Sequence, residues 1–205
     1  MIIALNGYAQ SGKDTVANII QEIDSSWQNK KFAGKLKQVA SLLTGIPAEK
    51  FEDQEFKNSL LGGEWDGIMF VEGYGNHETS MTVREFLQKL GTEAIRNNLH
   101  RDAWVNALMA DYKAINTTIG TSEFDIQDID ITPNWVITDC RMKNEAKAVK
   151  VRGGLVVRII RPGVGPINNH QSEIDLDDYP FDYVIVNDGS LKDLEDQVVD
   201  LLSKI

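Results

Sequence analysis

The start of the chain leaves few folds open. Ile2-Ile3-Ala4-Leu5 is a short apolar run closed by Asn6-Gly7, as in a strand buried on both faces. Val16, Ile19, Ile20 and Ile23 then recur at helical spacing, and the pattern stops near Asp24-Ser25-Ser26. Between them, Gly7-Tyr8-Ala9-Gln10-Ser11-Gly12-Lys13 fits G-x-x-x-x-G-K, the Walker A pattern. Its glycines let the backbone wrap an oxyanion, the helix N-terminus adds partial positive charge, and Lys13 reaches the outer phosphates of a nucleoside triphosphate. The strand, loop and helix context makes a chance glycine-rich turn the weaker reading. The pattern expects Ser or Thr after Lys13, but Asp14 stands there, with Thr15 next. Two readings of a magnesium contact stay open: the Thr15 hydroxyl, or Asp14 through water.

The remaining pattern alternates strands and helices. Residues 30–33 suggest a short second strand, and Leu36, Val39, Ala40 and Leu43 one face of a helix ending before Gly45-Ile46-Pro47. Residues 52–80 dissolve into glycines and aromatics, an irregular excursion with room for a small hairpin. Thr82-Val83-Arg84-Glu85 has capping-box form and opens a helix with Val83, Phe86, Leu87, Leu90, Ala94 and Ile95 on one side. A further helix is expected over 102–112, and the acidic stretch 116–133 reads as a loop. Trp135-Val136-Ile137-Thr138 is a buried strand ending at Asp139, and a helix over 144–151 stops at Gly153-Gly154. Residues 155–160 and 183–186 are apolar strands, and Ser190 opens a last helix with Leu194, Val198, Leu201 and Leu202 inward. This order predicts an α/β domain with a mostly parallel sheet flanked by helices.

Charge narrows the partners. With 31 acids against 21 bases the net charge is −10, which disfavours a nucleic-acid polymer or an anionic membrane as partner. No apolar run approaches the roughly 18 residues that would span a bilayer. The first residues lack the basic, then apolar, layout of a signal peptide, so a cytoplasmic setting is expected. The single cysteine, Cys140, has no partner for an internal bridge, and His77, His100 and His170 form no zinc-like spacing. Any phosphate site must therefore be made positive locally.

Asp139 has the layout of a Walker B acid, which would hold Mg²⁺ at the carboxyl end of a strand; an ordinary strand-terminal turn is the alternative. Arg141 could cover a transferring phosphoryl group, or it and Lys143 are turn residues that pair with Glu145. No Asn-Lys-x-Asp tetrapeptide is present, so ATP is expected rather than GTP. His170 and Glu173 suit a surface or lid role better than metal binding.

Taken together, several segments resemble the bacteriophage deoxynucleoside monophosphate kinases. They are residues 7–15 with their Gly-Lys-Asp-Thr ending, Phe32-Ala33-Gly34-Lys35-Leu36-Lys37, Val83-Arg84 through Leu90-Gly91-Thr92-Glu93, and Trp104-Val105. Asp139-Cys140-Arg141, Arg161-Pro162-Gly163 and Asn187-Asp188-Gly189-Ser190 complete the set, in the family's order. The resemblance implies a P-loop NTPase fold in one domain over 1–205, with an inserted acceptor-binding region at about 46–115. It implies transfer of the ATP γ-phosphoryl group to a deoxynucleoside monophosphate, with Mg²⁺ and a homodimer. By position it implies catalytic roles for Lys13, Asp139 and Arg141. Nucleotide contacts would come from Ser11, Gly12, Lys13, Asp14 and Thr15, with Asn187 and Gly189 in the loop beside adenine. Leu36, Lys37, Arg84, Gly91, Thr92, Arg96, Trp104 and Glu145 would serve the acceptor, and Thr15 and Asp139 the metal. Arg84 offers a fork matched to a phosphate and Lys37 a second charge, while Trp104 is either a wall for sugar or base or a core residue. A dephospho-coenzyme A kinase shares Gly12-Lys13, Asp139 and the late Asn-Asp-Gly loop, and a non-catalytic ATP-binding protein is a further alternative.

Overall fold

A strand with no polar face belongs in the middle of a sheet covered on both sides. The computed structural model describes residues 1–71, 75–119, 127–166 and 174–205 and places β1 (Ile2–Asn6) there. Its neighbours are β7 (Asn134–Ile137) and β8 (Leu155–Ile160), with β2 (Trp27–Lys30) and β9 (Tyr183–Val186) outside them. The order is β2-β7-β1-β8-β9, and every pairing is parallel, with Ile3 opposite Val136 on one side and Leu155 on the other.

Side-chain alternation along β1 sorts two core layers. Ile3 and Leu5, with Val136, Val157 and Ile159, meet Val16, Ala17, Ile19 and Ile20 of α1 (Lys13–Ile23). The same layer takes Leu194, Val198 and Leu201 from α7 (Leu191–Leu202). Ile2 and Ala4, with Trp135, Ile137 and Val156, face Val105, Leu108 and Met109 of α5 (Ala103–Met109), and Ala146 and Val149 of α6 (Lys143–Val151).

The chain divides into two compact units, Met1–Phe32 with Val105–Ile205, and Ala33–Trp104. The first holds the sheet. The second has its own small core of Ala40, Phe51, Val83 and Phe86, where Trp65 meets Phe86 edge-on at 4.9 Å. It contains most of α2 (Phe32–Thr44), α3 (Gln54–Asn58), the antiparallel pair β3 (Gly67–Val71) and β4 (Gly75–Thr79), and α4 (Val83–Gln88). The Thr82–Glu85 capping box is formed in both directions. After α4 the winding loosens into a π-helix over Lys89–Asn97, a form that is rare and often marks functional segments.

Several expectations shift. The second strand is Trp27–Lys30, not 30–33: Phe32 instead starts α2, because its N–H is taken by Asp139. Residues 116–133 are not simply a loop, since β5 (Ile115–Ile119) and β6 (Gln127–Ile131) pair antiparallel, with Ile115 opposite Ile131. The alternation in Ile-Asn-Thr-Thr-Ile and Gln-Asp-Ile-Asp-Ile was present, but too few apolar residues made it stand out. Ile23, Leu43 and Ala94 are exposed rather than inward. The hairpin within 52–80 is formed, while His170 and Glu173 lie outside the described residues.

Ile3 is fully buried between β7 and β8. Ile3→Ala is expected to lower unfolding free energy by about 2–5 kcal/mol in urea titration. A loss under about 1 kcal/mol would show that this layer is not the packed centre.

Candidate active site

In open parallel sheets a ligand crevice forms beyond the carboxyl ends of the strands, where the strand order reverses. Here β2 and β7 lie to one side of β1 and β8 and β9 to the other, so the reversal falls at the end of β1, where residues 7–13 turn into α1. Gly12 is the N-cap of α1 with φ 105°, and a Cβ there would come 2.5 Å from Asn187 Nδ2. Glycine alone meets both conditions. Gln10, at φ 65°, is also left-handed. Lys13 Nζ donates to the carbonyls of Gly7 and Tyr8, each at 2.7 Å, which bends the ammonium back over the loop.

Two hydroxyls stand out. Ser11 is 1% exposed and Thr138 3% exposed, and neither Ser11 Oγ nor Thr138 Oγ1 has a hydrogen-bond partner among the described residues. Buried polar atoms are normally satisfied, so an orphaned hydroxyl in a phosphate-type loop fits an oxyanion ligand.

Asp139 follows β7, the neighbour of β1, and its Oδ1 accepts from Phe32 N at 2.7 Å. The acid thereby anchors the first residue of α2. Arg141 is exposed, while its N–H and that of Met142 donate to Glu145 Oε2 at 2.7 and 3.0 Å. Glu145, 4% exposed, thus ties the turn after β7 to the first turn of α6. Asp14 lies 3.8 Å from the Lys31 ammonium with its side chain 75% exposed, a pair of little energetic weight, and Thr15 is exposed on α1. Asn187, just past β9, donates from Nδ2 to the Ser11 carbonyl at 2.9 Å, and Gly189 precedes the Ser190 cap of α7.

Sequence reasoning missed the group beneath the loop. Arg158 on β8 reaches the Asn6 side-chain oxygen and pairs with Asp177 at 3.1 Å. Its guanidinium also lies 4.7 Å from the Tyr8 ring centroid. The Tyr8 hydroxyl donates to Asp177 Oδ1 at 2.9 Å; burial, then Asp177, raises the phenol above its usual pKa. Asn6 Nδ2 donates to the Cys140 carbonyl at 2.8 Å, linking the end of β1 to the segment after β7. The signal was an arginine inside the apolar strand Leu-Val-Val-Arg-Ile-Ile, since a buried charge needs partners.

The expected acceptor residues belong to the second unit. Arg84 Nε and Nη2 donate to Asn58 Oδ1, both at 3.1 Å, and Nη2 donates to Gln54 Oε1 at 3.3 Å. These neutral amides orient the guanidinium without cancelling its charge. Lys37, 9% exposed, is ion-paired to Glu52, so its charge is offset rather than standing as an open second point charge. Gly91 lies so close to Leu36 that a Cβ would come 2.8 Å from Leu36 Cδ2. Trp104 is 7% exposed and donates from Nε1 to the Gly91 carbonyl at 2.9 Å, which makes it a buried brace for the π-helix. Thr92 is exposed and Arg96 half-buried on that helix.

Cys140 is 1% exposed, and burial first, then the Glu145 and Asp139 carboxylates, pushes its thiol well above the ordinary pKa. The thiolate is the reactive form, so a thiol reagent at pH 8 is expected to leave the native protein unlabelled and react at once in denaturant. Fast native labelling would contradict this burial.

A family model described as deoxynucleotide monophosphate kinase matches residues 68–198. The chain is 32% identical over 150 residues to the deoxynucleotide monophosphate kinase of Enterobacteria phage T4, covering 73% of this chain and 56% of that protein. It is 30% identical over 131 residues to the enzyme of the same name from Escherichia phage RB69, covering 64% of this chain and 49% of the relative. A protein provisionally given that name in Acanthamoeba polyphaga mimivirus is 27% identical over 206 residues, covering 97% of this chain and 94% of its own length. The chain therefore spans about half the length of the two phage relatives it matches.

Proposed function

Because the chain belongs to the deoxynucleotide monophosphate kinase family, we propose that it transfers the γ-phosphoryl group of ATP to deoxynucleoside 5′-monophosphates, giving the diphosphates. The observation that carries the reading is the loop of residues 7–13 at the carboxyl end of the central strand, with Asp139 at the end of the parallel strand beside it. Lys13 and the amides at the start of α1 hold the triphosphate, and the Ser11 hydroxyl supplies a further donor. Arg84, oriented by Asn58 and Gln54, takes the acceptor phosphate, with Arg96 in support and Lys37 acting from within its ion pair with Glu52. Arg141 stabilises charge on the transferring group, because this chemistry depends on positioning and electrostatics. The acceptor oxygen is already anionic, so no general base is required.

Mg²⁺ belongs to the same proposal. The side chains that would hold it, Thr15, Asp14 and Asp139, offer oxygen ligands, the type magnesium prefers. When bound with ATP it would neutralise charge on the phosphates. A homodimer and a cytoplasmic setting are part of the proposal, which is supported by the family likeness. Among the described residues no helix is long and apolar enough to cross a membrane.

The test is ADP release from ATP against each ribo- and deoxyribonucleoside monophosphate. Release stimulated by deoxynucleotides is expected, and stimulation by dephospho-coenzyme A alone, or by nothing, overturns the reading. Lys13→Ala is expected to cut kcat/KM by roughly 100-fold or more with the fold kept by circular dichroism. Arg84→Ala is expected to raise KM for the acceptor roughly tenfold while KM for ATP moves little; equal shifts would remove Arg84 from the acceptor site.

A further inference from the structure

Four carbonyls of the loop, those of Gly7, Tyr8, Gln10 and Ser11, accept from side chains. Those of Gly7 and Tyr8 accept from Lys13 Nζ, that of Gln10 accepts from Arg161 Nη1 at 3.3 Å, and that of Ser11 accepts from Asn187 Nδ2 at 2.9 Å. In a trans peptide the carbonyl and the following N–H point in opposite directions. Holding the Ser11 carbonyl toward Asn187 therefore turns the Gly12 N–H the other way, at the positive end of α1. The same side chain occupies the space a Cβ on Gly12 would need, so the left-handed N-cap and the asparagine fit each other. Asn187 is itself fixed, its N–H donating to the Ile160 carbonyl at 2.7 Å, as an extension of the β8–β9 pairing.

We propose that Asn187 is a positioning residue for the phosphate loop: its amide sets the direction of the Ser11–Gly12 peptide and acts on the triphosphate, not on the base. This rests on the nucleotide-binding reading above and departs from the expectation that the segment serves adenine. One of the two side-chain N–H donors is committed to the loop backbone at 2.9 Å, which fixes the plane of the amide against the Ser11–Gly12 peptide. Arg161, on the Gln10 carbonyl, supports the neighbouring left-handed residue in the same manner.

A ligand without a base separates the two roles. Binding of ATP and of inorganic tripolyphosphate is measured by titration calorimetry for the wild type, Asn187→Asp and Asn187→Ala. The aspartate keeps the shape but offers no N–H and faces the Ser11 carbonyl with negative charge. Both ligands are expected to weaken by similar factors, roughly tenfold, as for the loss of a part-buried hydrogen bond that orients the loop. Weaker ATP with unchanged tripolyphosphate would make Asn187 a base contact and overturn the proposal, as would changes below about twofold for both ligands. Asn187 is half-buried at a strand end, and native circular dichroism identifies a folded variant; if the aspartate unfolds the chain, the alanine carries the test. A wild type that binds neither ligand sinks the phosphate-loop reading itself. A wild type that binds both but phosphorylates no deoxynucleotide sinks only the substrate assignment.

Discussion

Burial of β1 on both faces and along both edges is the constraint on which the sheet-bearing unit depends. A strand so enclosed has only its ends for chemistry. Its carboxyl end must turn at once into α1, and that turn is the loop whose amides and lysine can meet phosphate. The neighbours contribute from their own ends: Asp139 after β7, Arg158 and Arg161 on and after β8, Asn187 after β9. The site is thus a property of strand ends in register, and moving any one strand by a residue would turn its side chains to the other layer.

Three basic side chains of this acidic chain are partnered in different ways. Arg158 is consumed inside the fold by Asp177, Asn6 and the Tyr8 ring, and so serves the loop from beneath. Arg84 is held by amides and keeps its charge, whereas Lys37 meets Glu52. Neutral acceptors orient a cation without neutralising it, whereas a carboxylate partner would have to be displaced or shared by any anion that bound there. Tight closure around Ser11 and Thr138 leaves two buried hydroxyls without a hydrogen-bond partner among the described residues, an arrangement that fits an oxygen-rich ligand.

Much of this is legible in the order of residues alone. The elements around apolar runs, residues 155–160 and 183–186 and the caps at Thr82 and Ser190, could be read because propensity, period and cap agree there. The hairpin of β5 and β6 was missed because its alternation carries few apolar residues, of which Ile115 and Ile131 are exposed. The second strand was displaced because the start of α2 is set by an acid 107 residues away, which no local pattern can register.

Local sequence alone determined the loop and its neighbours: glycine spacing, the lysine and the flanking periodicities are short-range properties of the chain. What each polar side chain does was decided only by tertiary structure. Asn187 bonds Ser11 across 176 residues and Arg158 reaches Asn6 across 152, because parallel pairing brings distant strand ends together. Hydrogen bonding and ion pairing are settled by distances of a few ångströms, and those distances belong to the folded sheet rather than to the order of residues.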